Sequence, residues 1–358
     1  MLSVGIVGLP NVGKSTVFNA LCGARAKISS YPFCTIEPNH AVVAVPDPRL
    51  ERVARIFGQE KATPATIEFV DLAGLVRGAS HGEGLGNQFL AAIREVEVIL
   101  HVVRCFPDTQ VPHVEGSLDQ VRDIEIVGLE LILADLTAVQ RRQQKLASGL
   151  RAGRPEAQQE AGALARLAEH LDAGRPARVV ADHGEVVSSV EVNLLTDKPV
   201  VYLANVGESQ RDAKTSGERL AARADGPVVN MAAKLEADLA EMETGEREAF
   251  IAELGIDSSG TERVIKACYR ALDLVTFFTG VGTEARAWPV RRGTKVATAA
   301  GRIHTDMERG FIRAEVVGFE VLDAMGSWQE AHRAGRVGTE GRDYEVREGD
   351  VLLVRFQR

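Results

Sequence analysis

The chain has 358 residues, 45% hydrophobic and 26% charged, a globular composition that excludes a disordered or fibrous protein and has room for two or three domains. A formal net charge of -8 argues against a generally cationic nucleic-acid binder, so no DNA partner is expected, while a local basic face stays compatible with it. No run reaches the roughly 18 apolar residues of a membrane span, and "MLSVGIVGLP" reads as strand and loop instead of a cleavable signal, so the expectation is a cytoplasmic protein with no membrane partner.

Residues 2–7 form a short apolar run followed by "GLPNVGKST" (8–16) and the helical "STVFNALCG", closed by Gly23. This is G-x-x-x-x-G-K-[ST] in the strand-loop-helix setting that a phosphate loop requires. Gly8 and Gly13 let the backbone curl its amides toward phosphate, and the helix N-terminus adds positive potential there. The candidate phosphate-binding residues are Asn11, Val12, Gly13, Lys14, Ser15 and Thr16; Lys14 is expected on the β- and γ-phosphates and the Ser15 hydroxyl on Mg²⁺.

"YPFCTIEPN" follows, in which Thr35 is the candidate hydroxyl that completes the Mg²⁺ shell when a γ-phosphate is present. Further buried-type strands are predicted at 41–45, 66–71, 98–103, 199–205 and 227–231, with helical patterns between them. Strand 66–71 ends in "DLAGL", which offers Asp71 to Mg²⁺ through water and the Gly74 amide to the γ-phosphate. Where Ras-like enzymes place a water-orienting glutamine, this chain has Leu75, which can neither donate nor accept a hydrogen bond. The glycines at 74, 78, 82, 84 and 86 predict a loop whose order depends on the nucleotide.

After the strand at 98–103, "FPDTQVPHVEG" carries His113 on the edge where ligands of such sheets bind. With its ordinary pKa near neutrality an imidazole can position or deprotonate water; the same histidine read blandly is a solvated loop side chain. Asn11 has two readings as well, shaping the turn or helping to hold K⁺. Next comes a long helical insertion with Leu129, Ile132, Leu133, Leu136 and Val139 at helical spacing, broken by "AGRP" at 152–155 and 173–176. The prediction is a helical hairpin, 123–151 and 155–173, forming a short antiparallel coiled coil; two surface helices folded onto the sheet are the alternative.

"YLANVGE" (202–208) stands where a GTPase carries Asn-Lys-x-Asp. Asn205 can still reach the purine N7 edge, but Val206 replaces the lysine stem, and Glu208, one methylene longer than aspartate, cannot place its carboxylate on guanine's N1–H and 2-amino group. Adenine offers neither donor, so a carboxylate there is no guanine selector. Met231, Ala232 and Ala233 of "MAAKLE" complete the candidate base site. The residue types alone exclude only strict GTP specificity and leave a dual ATP/GTP enzyme open.

Beyond about residue 275 short strands and turn glycines predict a separate β-rich module, where 13 Lys/Arg face 12 Asp/Glu. "WPVRRGTK" sets Trp288 beside three cations, compatible with RNA contact or with an ordinary exposed hairpin. Cys22, Cys34, Cys105 and Cys268 are scattered without a C-x-x-C pair, so neither zinc nor a disulfide framework is expected.

The series "GLPNVGKST", "FCTIEPN", "DLAGLVRGASHGEGLGNQFL", "HVVRCF" and "NVGE" with a small C-terminal module resembles the Obg-like ATPase family, YchF in bacteria, over essentially the whole chain. The resemblance implies an α/β fold: a G-domain-like P-loop NTPase sheet (1–122 and 196–274), an inserted coiled-coil hairpin (123–195) and a C-terminal TGS domain of β-grasp type (275–358). It also implies ATP as the preferred nucleotide, ribosomes as partner with a possible rRNA contact through the TGS domain, and slow hydrolysis with a hydrophobic residue in place of glutamine. His113 matches the position proposed to direct water. The expected function is an ATP-hydrolysing switch on ribosomes; the alternative is a nucleotide-gated binding protein whose hydrolysis is incidental.

Overall fold

The computed structural model describes residues 2–357 apart from 24–35, 38, 73–77, 79–84, 109, 153, 208–209, 243–244, 247–258 and 281. Thr35, Gly74, Leu75 and Glu208 therefore lie outside the described residues. In chain order the elements are β1 (Ser3–Val7), α1 (Lys14–Gly23), β2 (Ile36–Glu37), β3 (His40–Ala44), α2 (Pro48–Ile56), β4 (Ala62–Thr63), β5 (Thr66–Asp71), α3 (Leu85–Glu95) and β6 (Val98–Cys105). They continue with α4 (Gln120–Arg151), α5 (Pro155–Asp172), α6 (His183–Ser188), β7 (Val200–Val206), α7 (Gln210–Ala221), β8 (Val228–Met231), α8 (Ala233–Glu241), α9 (Gly260–Ala271), β9 (Leu274–Thr279), β10 (Ala285–Arg291), α10 (Val296–Ile303), α11 (Thr305–Arg309), β11 (Phe311–Gly318), α12 (Phe319–Met325), α13 (Trp328–Arg333), β12 (Gly338–Glu340) and β13 (Asp350–Phe356).

The first sheet has the order β2-β3-β5-β1-β6-β7-β8. Pairs β1–β5, β1–β6, β6–β7 and β7–β8 are parallel, and β2–β3 is antiparallel. Every residue of β1, β6 and β7 is buried, the pattern of strands covered on both faces. This is the P-loop α/β sheet that the residues predict, with strand bounds displaced by one or two positions.

The insertion is a hairpin of a 32-residue α4 and an 18-residue α5. Asp119 caps α4 by accepting from the Val121 and Arg122 amides, and Pro155 opens α5, where its missing N–H costs nothing. Ile132 and Val139 of α4 meet Leu164, Leu167 and Leu171 of α5, and Arg142 grips Glu160 at 2.7 and 2.8 Å. Leu129 departs from the expected apolar stripe and is 50% exposed. Asp135, with no exposure, accepts from the Leu195 and Thr196 amides, both at 2.8 Å, and from the Thr196 hydroxyl at 2.7 Å, which fixes where the insertion rejoins the sheet. Burial raises its pKa and these three donors oppose that.

The chain divides into two compact units, Val42–Ile67 joining Tyr269–Arg358 in the second. Segment 42–67, which the sequence reading leaves in the first domain, thus groups with the C-terminal strands through α2 and β4, while 42–44 and 66–67 remain strand residues of the first sheet. The second sheet runs β12-β11-β13-β9-β10-β4, with β4 parallel to β10. Asp47 caps α2 and holds Arg49, which also reaches Glu348, and Glu348 Oε2 accepts the Thr276 amide at 2.8 Å. A side chain at Gly280 would meet the Phe57 ring at 2.2 Å, so the strand end and α2 pack only because that position is glycine.

Asp135→Ala leaves two buried amides without acceptors and is expected to cost roughly 3 kcal/mol; chemical denaturation of the full chain measures it.

Candidate nucleotide site

The P-loop follows β1, and its shape rests on two close approaches. Gly8 has φ 155°, and a Cβ there would lie 2.5 Å from the Val102 carbonyl of β6; Gly13 has φ 94°, and a Cβ there would lie 2.4 Å from the Asn205 amide. Asn11 is left-handed at φ 63°. Leu9 and Val12 are 2% and 1% exposed, so the loop's apolar side chains root it in the core while its amides stay outside. The first bond of α1 runs from the Val17 amide to the Gly13 carbonyl at 2.9 Å. The amides before it have no helical carbonyl to use, which makes them donors for an anion.

Lys14 is buried and turns its ammonium onto the carbonyls of Gly8 and Leu9 at 3.2 and 2.9 Å. Burial lowers its pKa, and the charge of Asp71 partly restores it. Ser15 Oγ donates to Asp71 Oδ2 at 3.1 Å. Asp71 Oδ1 is buried without a hydrogen-bond partner among the described residues, and burial raises this carboxyl against the opposing pull of Ser15 and Lys14. A hydroxyl and a half-satisfied carboxylate are the hard oxygen donors that a small divalent cation takes. The residues therefore fit one.

Asn205, 4% exposed, joins the phosphate and base sides. Its Nδ2 donates to the Val12 carbonyl at 2.9 Å, and its Oδ1 accepts the Ala233 amide at 3.2 Å. The structure thus brings Asn205 together with Val12, Gly13 and Ala233. Val206 and Met231 are 7% and 1% exposed; Val206 follows Asn205 at the end of β7 and Met231 pairs with Asn205 across β7 and β8, Thr16 lies in the first turn of α1, and Ala232 precedes α8.

His113 is neither a solvated side chain nor hydrogen-bonded to Lys14, Ser15 or Asp71. Its Nδ1 accepts the Glu115 amide at 3.1 Å, which leaves the proton on Nε2 for Asp123 Oδ2 at 2.8 Å. Its side chain is 4% exposed and that of Asp123 is 2%. The loop it ends does touch the P-loop, because Asn11 Nδ2 donates to the Pro112 carbonyl at 3.2 Å.

Sequence reasoning misses Arg104, the last-but-one residue of β6, 2% exposed. Its guanidinium donates to the carbonyls of Phe106 at 3.2 Å, Asp108 at 3.1 Å, Val111 at 2.9 Å and Asn11 at 3.4 Å. One side chain thus ties Phe106, Asp108 and Val111 to one another and to the P-loop. The signal was visible as a cation at the end of the eight-residue apolar run "VILHVVRC". Within the glycine-rich loop the described Gly78 gives its amide to Glu130 Oε1 of α4 at 2.6 Å.

Asn205→Ala leaves the Val12 carbonyl and the Ala233 amide unpaired and is expected to weaken ATP and GTP about equally, by roughly tenfold or more; calorimetric titration with each nucleotide reads both. Arg104→Met removes four carbonyl contacts and is expected to lower turnover more than nucleotide affinity, because the P-loop keeps its Asn205 clamp; steady-state kinetics beside a binding isotherm separates the two.

Residues 3–140 match a family model described as 50S ribosome-binding GTPase, and residues 274–357 match YchF-GTPase_C, described as a protein of unknown function. The chain is 45% identical to the ribosome-binding ATPase YchF of Bacillus subtilis, covering 99% of both chains. It is 44% identical to the protein of that name from Escherichia coli O157:H7, covering 98% of each. The solved structure of the Schizosaccharomyces pombe YchF GTPase superposes with a TM-score of 0.85 at 32% identity, covering 99% of this chain and 97% of that one. Full-length likeness at these identities, on a P-loop sheet whose base motif keeps Asn205 and has Val206 where a GTPase has lysine, makes the chain a member of the YchF family.

Proposed function

We propose that the chain binds and hydrolyses ATP at the P-loop and works on ribosomes in the cytoplasm. The observation that carries this reading is the assembled site of Lys14, Ser15, Asp71 and Asn205 in a chain alike over its whole length to ribosome-binding ATPases. Bacterial relatives are named ATPases and the fission yeast structure is titled a GTPase, so the base motif has to argue for the nucleotide.

Asn205 is spent on the P-loop and the 231–233 loop, as an asparagine in this position serves either purine. Selection then falls to Val206, Glu208 and the backbone of Met231, Ala232 and Ala233. Val206 is an apolar wall, which suits a base held by shape and backbone groups better than guanine read by a charge. ATP is favoured accordingly. Mg²⁺ is the cation for Ser15 and Asp71, with Thr35 of "YPFCTIEPN" as a third group, and when bound it neutralises phosphate charge. Lys14 leaves its two carbonyls for the phosphates, and the amides of 13–16, with that of Gly74, hold phosphate oxygens.

Leu75 supplies no water-orienting group, and His113 is the polar candidate on the neighbouring loop. That role requires nucleotide binding to draw the ring off Asp123, a step expected to keep basal turnover slow. Asn11 keeps Oδ1 for K⁺ while Nδ2 holds Pro112; a rate equal in K⁺ and Na⁺ buffers removes that role. An rRNA contact of the C-terminal unit runs through its exposed cations rather than through Trp288, whose ring is already covered by Arg286 at 4.2 Å and stacked on Phe277.

ATP is expected to bind at least about tenfold more tightly than GTP with Mg²⁺ present, and Val206→Lys with Glu208→Asp is expected to narrow that ratio; an unchanged ratio in the double variant overturns the account of the base motif. Added ribosomes are expected to raise turnover well above its basal value, and no rise assigns the chain to nucleotide-gated binding with incidental hydrolysis. His113→Ala is expected to lower kcat at unchanged ATP affinity, and a parental rate leaves the histidine only its loop-anchoring bonds.

A further inference from the structure

Strand alternation sends Ile99 and His101 of β6, and Val200 and Tyr202 of β7, to one face of the first sheet. The first turns of α4 do not close fully over them. A cavity of about 500 Å³ remains, within the size range of small-molecule sites, walled by Ile99, Val127, Leu131 and Val200. Leu129 and Val179, each 50% exposed, stand at its mouth.

The polar groups of this cavity are arranged for a neutral guest. Arg178 donates to Asp225 Oδ2 at 2.5 Å, and Tyr202 Oη donates to Asp225 Oδ1 at 2.8 Å. Arg223 pairs with Glu125 at 2.6 Å. The four lining charges thus cancel in two pairs, and a charged guest would enter an apolar space with no counter-ion free for it. His101 is different. It is 4% exposed, it touches the Tyr202 ring at 5.4 Å between centroids, and its ring nitrogens make no hydrogen bond to the described residues. Burial first, and the charge of Arg178 second, hold the imidazole neutral with a pKa of about 3 against the opposing pull of Asp225. The ring nitrogens are not among the buried polar atoms that lack a partner, so they open onto the cavity, where water or a guest can pair with them.

We propose that this cavity binds an uncharged, largely apolar small molecule through one hydrogen bond to the His101 ring. The chemistry is that of a flat hydrocarbon body with a single hydroxyl or similar neutral polar group. Gly128 of α4 lines the same space, and a Cβ there meets nothing within 4 Å. A larger side chain at that position fills the cavity and raises helix propensity, so the variant is expected to fold.

The full-length chain carrying ¹⁵N-labelled imidazoles, with the His101 signals assigned through His101→Gln, is titrated with 2-naphthol and with its anionic counterpart 2-naphthoate. Saturable movement of the His101 ring signals by 2-naphthol is expected, with naphthoate weaker by about tenfold or more and naphthol weakened by a similar factor in Gly128→Leu. ATP turnover of Gly128→Leu is expected to stay parental. No movement of His101 up to the solubility of 2-naphthol, equal binding of the anion, or an undiminished response in Gly128→Leu each overturns the proposal and leaves the cavity a solvent-filled cleft.

Discussion

A single buried amide sets the geometry on which the nucleotide site depends. Asn205 donates an amide N–H to the Val12 carbonyl of the P-loop and accepts the Ala233 amide, at the start of α8, on its oxygen. Neither partner can move without stranding a polar group in the core. Gly13 is glycine because this amide occupies the space of a side chain, and Gly8 is glycine because β6 brings the Val102 carbonyl there. The curl of the P-loop is therefore imposed by β6, which stands beside β1 in the sheet, and by β7 on the far side of β6, both distant from β1 in sequence.

Around that frame the site holds polarity in reserve. Lys14 is desolvated and rests on two carbonyls of its own loop, and Asp71 has one oxygen paired with Ser15 and the other with none among the described residues. An anion that takes the ammonium and a cation that takes the carboxylate each relieve a burial cost already present in the folded chain. Binding both together, as a magnesium nucleotide would, is favoured by the same burial that shifts both pKa values toward their neutral forms. Arg104 meets its own burial differently, by spending its donors on backbone carbonyls, and the loop leading to His113 takes its shape from that.

The inserted hairpin and the glycine-rich loop meet at Gly78 and Glu130. Glu130 sits on α4 between the turns that face the sheet and the turns that pair with α5, whose apolar contacts begin at Ile132. A hydrogen bond there links a residue two turns into the insertion with the segment that follows Asp71.

The P-loop, the strands that carry it and the helical hairpin were legible in the residues, because glycine spacing, uninterrupted apolar runs and helical periodicity are local properties of a chain. The reading of Val206 and Glu208 as a lost guanine selector likewise comes from side-chain chemistry alone, and Glu208 lies outside the described residues. Three things were decided only by the fold. Arg104 acquired its role when β6 brought it beside carbonyls of two loops, and His113 lost both ring nitrogens to Asp123 and to the Glu115 amide. Segment 42–67 joined the C-terminal unit through a two-residue strand, an N-capped helix and Arg49 reaching Glu348, about 300 residues away, none of which leaves a periodic trace. Local pattern specifies which elements form; long-range pairing of buried polar groups specifies what those elements hold.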